Sequence, residues 1–331
     1  MFRWLSGFTG VALVGAVLVI VGLVGLQSSL ESPGPNAEPV QVLIERGTGV
    51  RGIAGQLADA GVVSSPWLFE AAARFSTDER PLRAGEYVFP AGVPMARVLE
   101  TVRQGQSIQH RFTVPEGWTV AQVMEALAAD PVLVGDLPDA PAEGRLLPDT
   151  YFFERGETRA GLLARVERAL TETLDAAWAE RDESVPFADA DEALVLASII
   201  EKETSVAEER EIVAGVFVNR LRKSMLLQTD PTVIYALTKG DEPLGRALTR
   251  RDLQVDDPYN TYRYPGLPPG PIANPGREAI RAALNPADTE YLYFVADGTG
   301  GHAFARTLDG HNRNVQAWRQ LVREKAKSPG G

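Results

Sequence analysis

The segment Leu194-Val195-Leu196-Ala197-Ser198-Ile199-Ile200 carries no charge and stops at Glu201-Lys202-Glu203-Thr204-Ser205. Read as a helix, it treats its two carboxylates unequally, because residues three and four apart share a face and residues two apart do not. Glu203 follows Ile200 and Ile199 by three and four residues and Leu196 by seven, so it continues the apolar stripe. Glu201 follows Ala197 and Ser198 and precedes Thr204 and Ser205, on nearly the opposite face among small polar neighbours. A carboxyl beside apolar side chains is harder to ionise, and its pKa rises. Ser205-Val206-Ala207-Glu208 also has the form of a capping box, from which a second helix could start. Glu203 would then close the first helix, where the dipole disfavours negative charge. Both effects suit a general acid that keeps its proton near neutral pH. The alternative is a solvated helix face, the ordinary place for a Glu. One continuous helix and a break before Ser205 both fit the pattern.

A chain of 331 residues can bury a sizeable core and divide into two or more domains. It has no cysteine, which excludes disulfides, thiolate catalysis and cysteine-based metal sites. His110, His302 and His311 are scattered without metal-ligand spacing, and neither a metal nor a cofactor is expected. The net charge of -11 argues against nucleic acid as a partner, since phosphates call for a positive surface.

No residue from Trp4 to Leu26 is charged, and a bilayer is crossed by about 20 apolar residues. A cleaved signal peptide has a shorter apolar core, roughly 7 to 15 residues, with a small-x-small site that is poorly matched here. The expectation is therefore an uncleaved transmembrane anchor within residues 1–27. Arg3 on one side, against Glu31 and Glu38 on the other, puts the amino end in the cytoplasm and the rest outside. Residues 28–38, with Pro33, Gly34, Pro35 and Asn36, read as a flexible linker.

Residues 39–106 form a small α+β module by pattern. Val40–Ile44 reads as a strand, Val50–Ala60 as a helix closed by Gly61, and Ser65-Pro66 as the start of a second helix to Phe75. Ala84–Phe89 is a second strand, and Pro94 opens a short helix to Val102. This order resembles a LysM domain, a fold that binds N-acetylglucosamine polymers. A plain spacer module fits the pattern equally.

In residues 107–331, Ile108–Val114 alternates like a strand and Thr119 can cap a helix to Ala129. Glu143 to Tyr151 reads as a turn, Ala160–Glu180 as a long amphipathic helix, and Asp189 as the cap before the opening segment. A helix is expected over Val206–Arg222, and another opened by Pro231. Polar loops with aromatic residues follow, then a hairpin from Tyr291–Ala296 to His302–Phe304. Rings that stack on sugar faces and amides that bond hydroxyls make such loops suited to carbohydrate.

Five ordered motifs carry a specific resemblance: Leu196 to Thr204, Leu227-Gln228-Thr229-Asp230-Pro231-Thr232-Val233-Ile234-Tyr235, Tyr259-Asn260-Thr261-Tyr262, Gly266 to Ile272, and Tyr291 to Val295. With Glu143-Gly144 and Pro148-Asp149-Thr150-Tyr151, they resemble the YceG-like endolytic murein transglycosylases over nearly the whole chain. Leu146-Leu147, before Pro148, departs from the family in lacking an aromatic residue. The resemblance implies an α+β protein with an N-terminal transmembrane helix, the LysM-like module, and a mostly helical, lysozyme-like catalytic domain with short β-hairpins. It implies a lyase at the bacterial inner membrane that cuts nascent peptidoglycan strands internally, with peptidoglycan synthases as partners. Glu203 is the implied catalyst. Gln228, Thr229, Asp230, Tyr259, Asn260, Thr261, Tyr262 and Asn274 are the substrate-binding candidates. A muramidase-type hydrolase on the same scaffold and an inactive glycan-binding scaffold protein are the alternatives, and Glu208 or Asp230 could supply the hydrolase with a second carboxylate.

Overall fold

In the computed structural model, which describes residue 21 and residues 24–327, the chain is α+β, mostly helical, with three two-stranded sheets. β1 (Val40–Ile44) pairs antiparallel with β2 (Gly85–Phe89), setting Val42 opposite Tyr87 and Ile44 opposite Gly85. Alternation puts Val42 and Ile44 on the buried face of β1. The helices Val50–Asp59 and Pro66–Phe75 lie between the strands in sequence, and Ser65 caps the second by accepting from Leu68 N at 3.3 Å. Leu57, Phe69, Tyr87 and Val98 are fully buried in one cluster with both strands. Each such side chain contributes about 1.5–3 kcal/mol by leaving water. The helix Met95–Gln104 closes on Gly105, whose φ of 68° is left-handed and suits glycine.

No helix among the described residues is long and apolar enough to cross a membrane, which corrects the expected transmembrane helix. The described end of that segment is helical over residues 24–31 but turns polar at Gln27, Ser28, Ser29 and Glu31. Gln27 Nε2 donates to Glu31 Oε1 at 3.2 Å and Ser29 Oγ to Gly25 O at 2.9 Å. Most of the apolar run, residues 4–20 and 22–23, lies outside the described residues. The linker that follows is tied down in part. Leu30 packs on the core described above, and Asn36 Nδ2 donates to Glu38 O and Pro90 O at 3.0 and 2.7 Å.

The chain divides into two compact units, one running to His110 and including Phe153–Arg155, the other comprising Arg111–Phe152 and Gly156 onward. In the second, the helices Arg159–Ala179, Ala190–Glu203, Arg210–Arg222 and Arg277–Leu284 share one core. Leu170, Leu196, Ile199, Ile200, Val213, Phe217, Ile280 and Leu284 meet there, all nearly or wholly inaccessible. The uncharged run of Ala190–Glu203 is buried from Ala193 through Ile200, on every face, which explains why it carries no polar side.

At Gly215 the Arg210–Arg222 helix passes the 286–289 loop so closely that a methyl group would lie 2.6 Å from Ala287 O. Gly215→Ala gains about 1 kcal/mol of helix propensity, but the overlap is with backbone and costs roughly 1–3 kcal/mol. A lower melting temperature is expected. An unchanged or raised one would mean that the loop yields freely.

One strand and two α-helices have no counterpart in the sequence reading. Asp149–Phe153, expected inside a turn, is strand β4 and pairs with β3 (His110–Val114). Most of its residues are exposed, so no inward alternation marks it. The Arg277–Leu284 helix is short and follows Pro275-Gly276, a turn signature, while Leu308–Lys327 is a long helix after the hairpin β5 (Tyr293–Ala296) and β6 (His302–Ala305).

Candidate active site

The Ala190–Glu203 helix begins as its sequence predicts. Asp189 Oδ1 accepts from Glu192 N at 3.0 Å, and Glu192 Oε2 accepts from Ala188 N at 2.8 Å. It ends on Glu203, with Thr204 extended (φ -140°, ψ 132°), so the helix is broken rather than continuous. The next helix does not start on Ser205, however. Thr204 Oγ1 accepts from Val206 N at 3.1 Å, a 3-10 turn spans Ala207–Glu209, and Arg210–Arg222 follows.

Burial pushes both carboxyls of the Glu-Lys-Glu run above the ordinary range, so acidity alone does not separate them. For Glu201, the hydrogen bond from Gly276 N opposes burial and the Glu116 charge adds to it. For Glu203, the Thr229 hydrogen bond opposes burial, the Asp230 charge reinforces it, and the His302 and Arg220 charges pull back without reversing it. Their bonds separate them instead. Glu201 Oε2 accepts from Gly276 N at 2.9 Å and so caps the Arg277–Leu284 helix. Glu203 Oε1 accepts from the Thr229 hydroxyl, and the side chain lines a cleft of about 460 Å³.

Gln228, Asp230 and Tyr262 line that cleft with Glu203. Tyr262 Oη donates to Asp230 Oδ1 at 2.6 Å, which orients both, and burial raises the Tyr262 pKa further from neutrality. Thr229 is buried, its N–H donating to Thr261 Oγ1 at 3.1 Å and its carbonyl accepting from Thr232 Oγ1 at 2.8 Å. Thr261, Asn260 and Asn274 are also buried, and their polar side-chain atoms bond within the protein. Thr261 Oγ1 bonds Thr232 Oγ1 at 2.8 Å. Asn260 Nδ2 donates to Leu253 O and Val255 O at 3.1 and 2.8 Å, which closes the loop before Tyr262. Asn274 Oδ1 accepts from Leu146 N at 3.0 Å and its Nδ2 donates to Trp118 O at 2.9 Å. Tyr259 is outside the cleft lining, packed on Tyr235 at 4.8 Å between ring centroids with Lys239 Nζ 5.0 Å from its ring.

Seven cleft residues escaped the sequence reading as site candidates: Arg220, Leu227, Tyr293, Phe294, Val295, Leu308 and His311. Arg220 resembles an ordinary cation in the last turn of a helix, and Tyr293 an ordinary strand residue. A larger cleft of about 620 Å³ borders Asp189, Leu194 and Pro268. It lies toward the other end of the same helix and does not include Glu203, so the carboxylate and not the volume places the site.

The model of the YceG-like family matches residues 42–317. The chain belongs to the YceG-like family. An endolytic murein transglycosylase of Bacillus subtilis is 31% identical over 321 residues, covering 86% of this chain and 86% of that protein. One of Streptococcus pneumoniae is 29% identical over a 349-residue alignment that covers 91% of this chain but 63% of its own length. This YceG-like chain thus spans less than two thirds of the pneumococcal relative. The crystal structure of a yceG-like protein from Listeria monocytogenes superposes with a TM-score of 0.53 at 30% identity, covering 83% of this chain and 98% of that one.

Proposed function

We propose that the chain is an endolytic murein transglycosylase, which cuts peptidoglycan strands internally between N-acetylmuramic acid and N-acetylglucosamine, with Glu203 as acid and then base. The observation that carries the reading is the placement of Glu203. Its carboxyl is raised in pKa by burial, bonded by the Thr229 hydroxyl, and lines a cleft with Gln228, Tyr262 and Tyr293. Protonated Glu203 gives its proton to the glycosidic oxygen as the bond to C1 of the muramyl residue breaks. The carboxylate then takes the proton of the muramyl 6-hydroxyl while that oxygen closes on C1. A 1,6-anhydro end forms, no water is consumed, and Glu203 is protonated again. Relatives named endolytic murein transglycosylases support the substrate class. The reading implies action outside the cytoplasm, on nascent strands beside the synthases that make them. The strand, two helices, strand order of the first unit supports a LysM-like role in holding glycan.

A second reading, muramidase-type hydrolysis, rests on Asp230, a further carboxylate in the same cleft that could activate water. Incubating the purified full chain with purified glycan strands and reading the ends by mass spectrometry separates the two. Anhydro ends on internal fragments support the transglycosylase, reducing ends the hydrolase, and uncut strands overturn both.

The raised pKa of Glu203 also sets a pH dependence with a definite sign. The acid form starts the reaction, so kcat/KM should fall as pH rises through a value above the ordinary glutamate pKa of about 4.3. A profile already lost across the ordinary range would count against Glu203 as the acid.

A further inference from the structure

Arg220 is only 8% exposed although it sits in the last turn of a helix, where cations are normally solvated. Its Nε donates to Leu292 O at 2.6 Å, and its Nη1 to Leu226 O at 3.1 Å, Leu227 O at 2.9 Å and Gln228 Oε1 at 3.5 Å. The guanidinium lies 5.1 Å from the centroid of the Tyr293 ring. One side chain therefore joins the segment that leads into Thr229 to the start of β5, and both line the cleft. Gln228 has a left-handed φ of 53°, which is unfavourable for a non-glycine residue and persists only where neighbours hold it. The bonds from Arg220 to the two preceding carbonyls supply that hold, and the next residue, Thr229, carries the hydroxyl on Glu203.

Carbonyl bonds alone do not explain a buried charge. No carboxylate of the described residues forms an ion pair with Arg220, and burying an unpaired cation is strongly unfavourable. Glu203 and Arg220 line the same cleft. Of the two carboxylates in that cleft, Asp230 is held by Tyr262 Oη, and Glu203 is the one whose charge acts on Arg220.

We propose that Arg220 is the positioning residue of this site: its fork fixes the Thr229 hydroxyl against Glu203, and its charge stabilises the Glu203 carboxylate in the half of the cycle when it acts as base. The proposal rests on Glu203 being the acid and base. Asp230 and His302 also face Glu203, and Tyr262, Tyr293 and His311 face Arg220. None of these residues is substituted in the Arg220 variants.

The test compares the full chain with Arg220→Lys and Arg220→Gln. Glu203 is titrated by carbon-13 carboxyl NMR, its signal assigned by its loss in Glu203→Gln, and kcat is measured on purified glycan strands. In Arg220→Gln the Glu203 midpoint should move to higher pH, with kcat lower by roughly ten- to a hundredfold and KM little changed. Arg220→Lys should keep the wild-type midpoint with a partly reduced kcat, because the charge survives and the fork does not. A folded Arg220→Gln with an unmoved midpoint overturns the proposal, as does Arg220→Lys with a midpoint moved equally far. If the Gln variant fails to fold, Arg220→Met is titrated in its place, and an unmoved Glu203 midpoint there overturns the proposal. The titration needs no turnover, so strands left uncut by the wild-type chain would sink the transglycosylase reading while the midpoints still report on Arg220.

Discussion

Glu203→Gln is expected to lower strand cleavage by at least about a hundredfold while leaving the fold intact. Gln keeps the shape and still offers an oxygen to the Thr229 hydroxyl, but it has no proton to give and cannot take one back. The same substitution should not destabilise the protein at neutral pH. Because the folded pKa of Glu203 lies above its unfolded value, the folded state holds the proton longer, and stability falls as pH rises from the ordinary carboxylate range through the folded pKa. Gln escapes that loss. The variant should therefore melt no lower than wild type at pH ~8, and any advantage should vanish near pH ~4, below both values. Glu201→Gln should behave differently, since Glu201 caps a helix through Gly276 N. It should weaken the fold modestly and leave cleavage largely in place. If Glu201→Gln abolishes cleavage and Glu203→Gln spares it, the assignment of the acid is wrong.

Phe217→Ala should give the largest loss of stability, about 3–5 kcal/mol. Phe217 is 1% exposed and lies in the cluster that surrounds the Ala190–Glu203 helix. Its ring meets Phe294 edge-on at 5.8 Å, and Phe294 lines the cleft from β5. The void would lie between the core and a cleft wall, so KM should rise along with the drop in melting temperature. Phe217→Leu fills most of the space and should restore much of both. A normal KM in a folded Phe217→Ala would show that β5 is held without this contact.

Local signals carried much of the fold. Asp189, Ser65 and Thr119 each cap the helix that they precede in sequence, because a cap is set by the nearest few residues. β4 and the Arg277–Leu284 helix were hidden, the one by its exposed side chains and the other by the Pro-Gly before it. The site was legible in a similar proportion. The apolar stripe selected Glu203, yet the same wheel placed Glu201 among small polar neighbours, and the Gly276 N–H that bonds it comes from 75 residues away. Thr261 and Asn274 look like substrate ligands in a polar loop, and only the tertiary structure shows their side chains bonded to Thr229 N, Leu146 N and Trp118 O. Arg220 was missed for the converse reason, since nothing in its helix announces that its partners are carbonyls of Leu226, Leu227 and Leu292.

The chain leaves its first unit after His110 and supplies it again with Phe153–Arg155. Within that unit Glu86 is almost wholly buried, and its carboxylate meets His110 Nε2 at 2.7 Å and Arg155 Nε at 2.9 Å. The second of these cations is encoded far downstream of the strands it serves. A small unit cut out at His110 would therefore keep the buried Glu86 carboxylate and lose one of the two cations that face it.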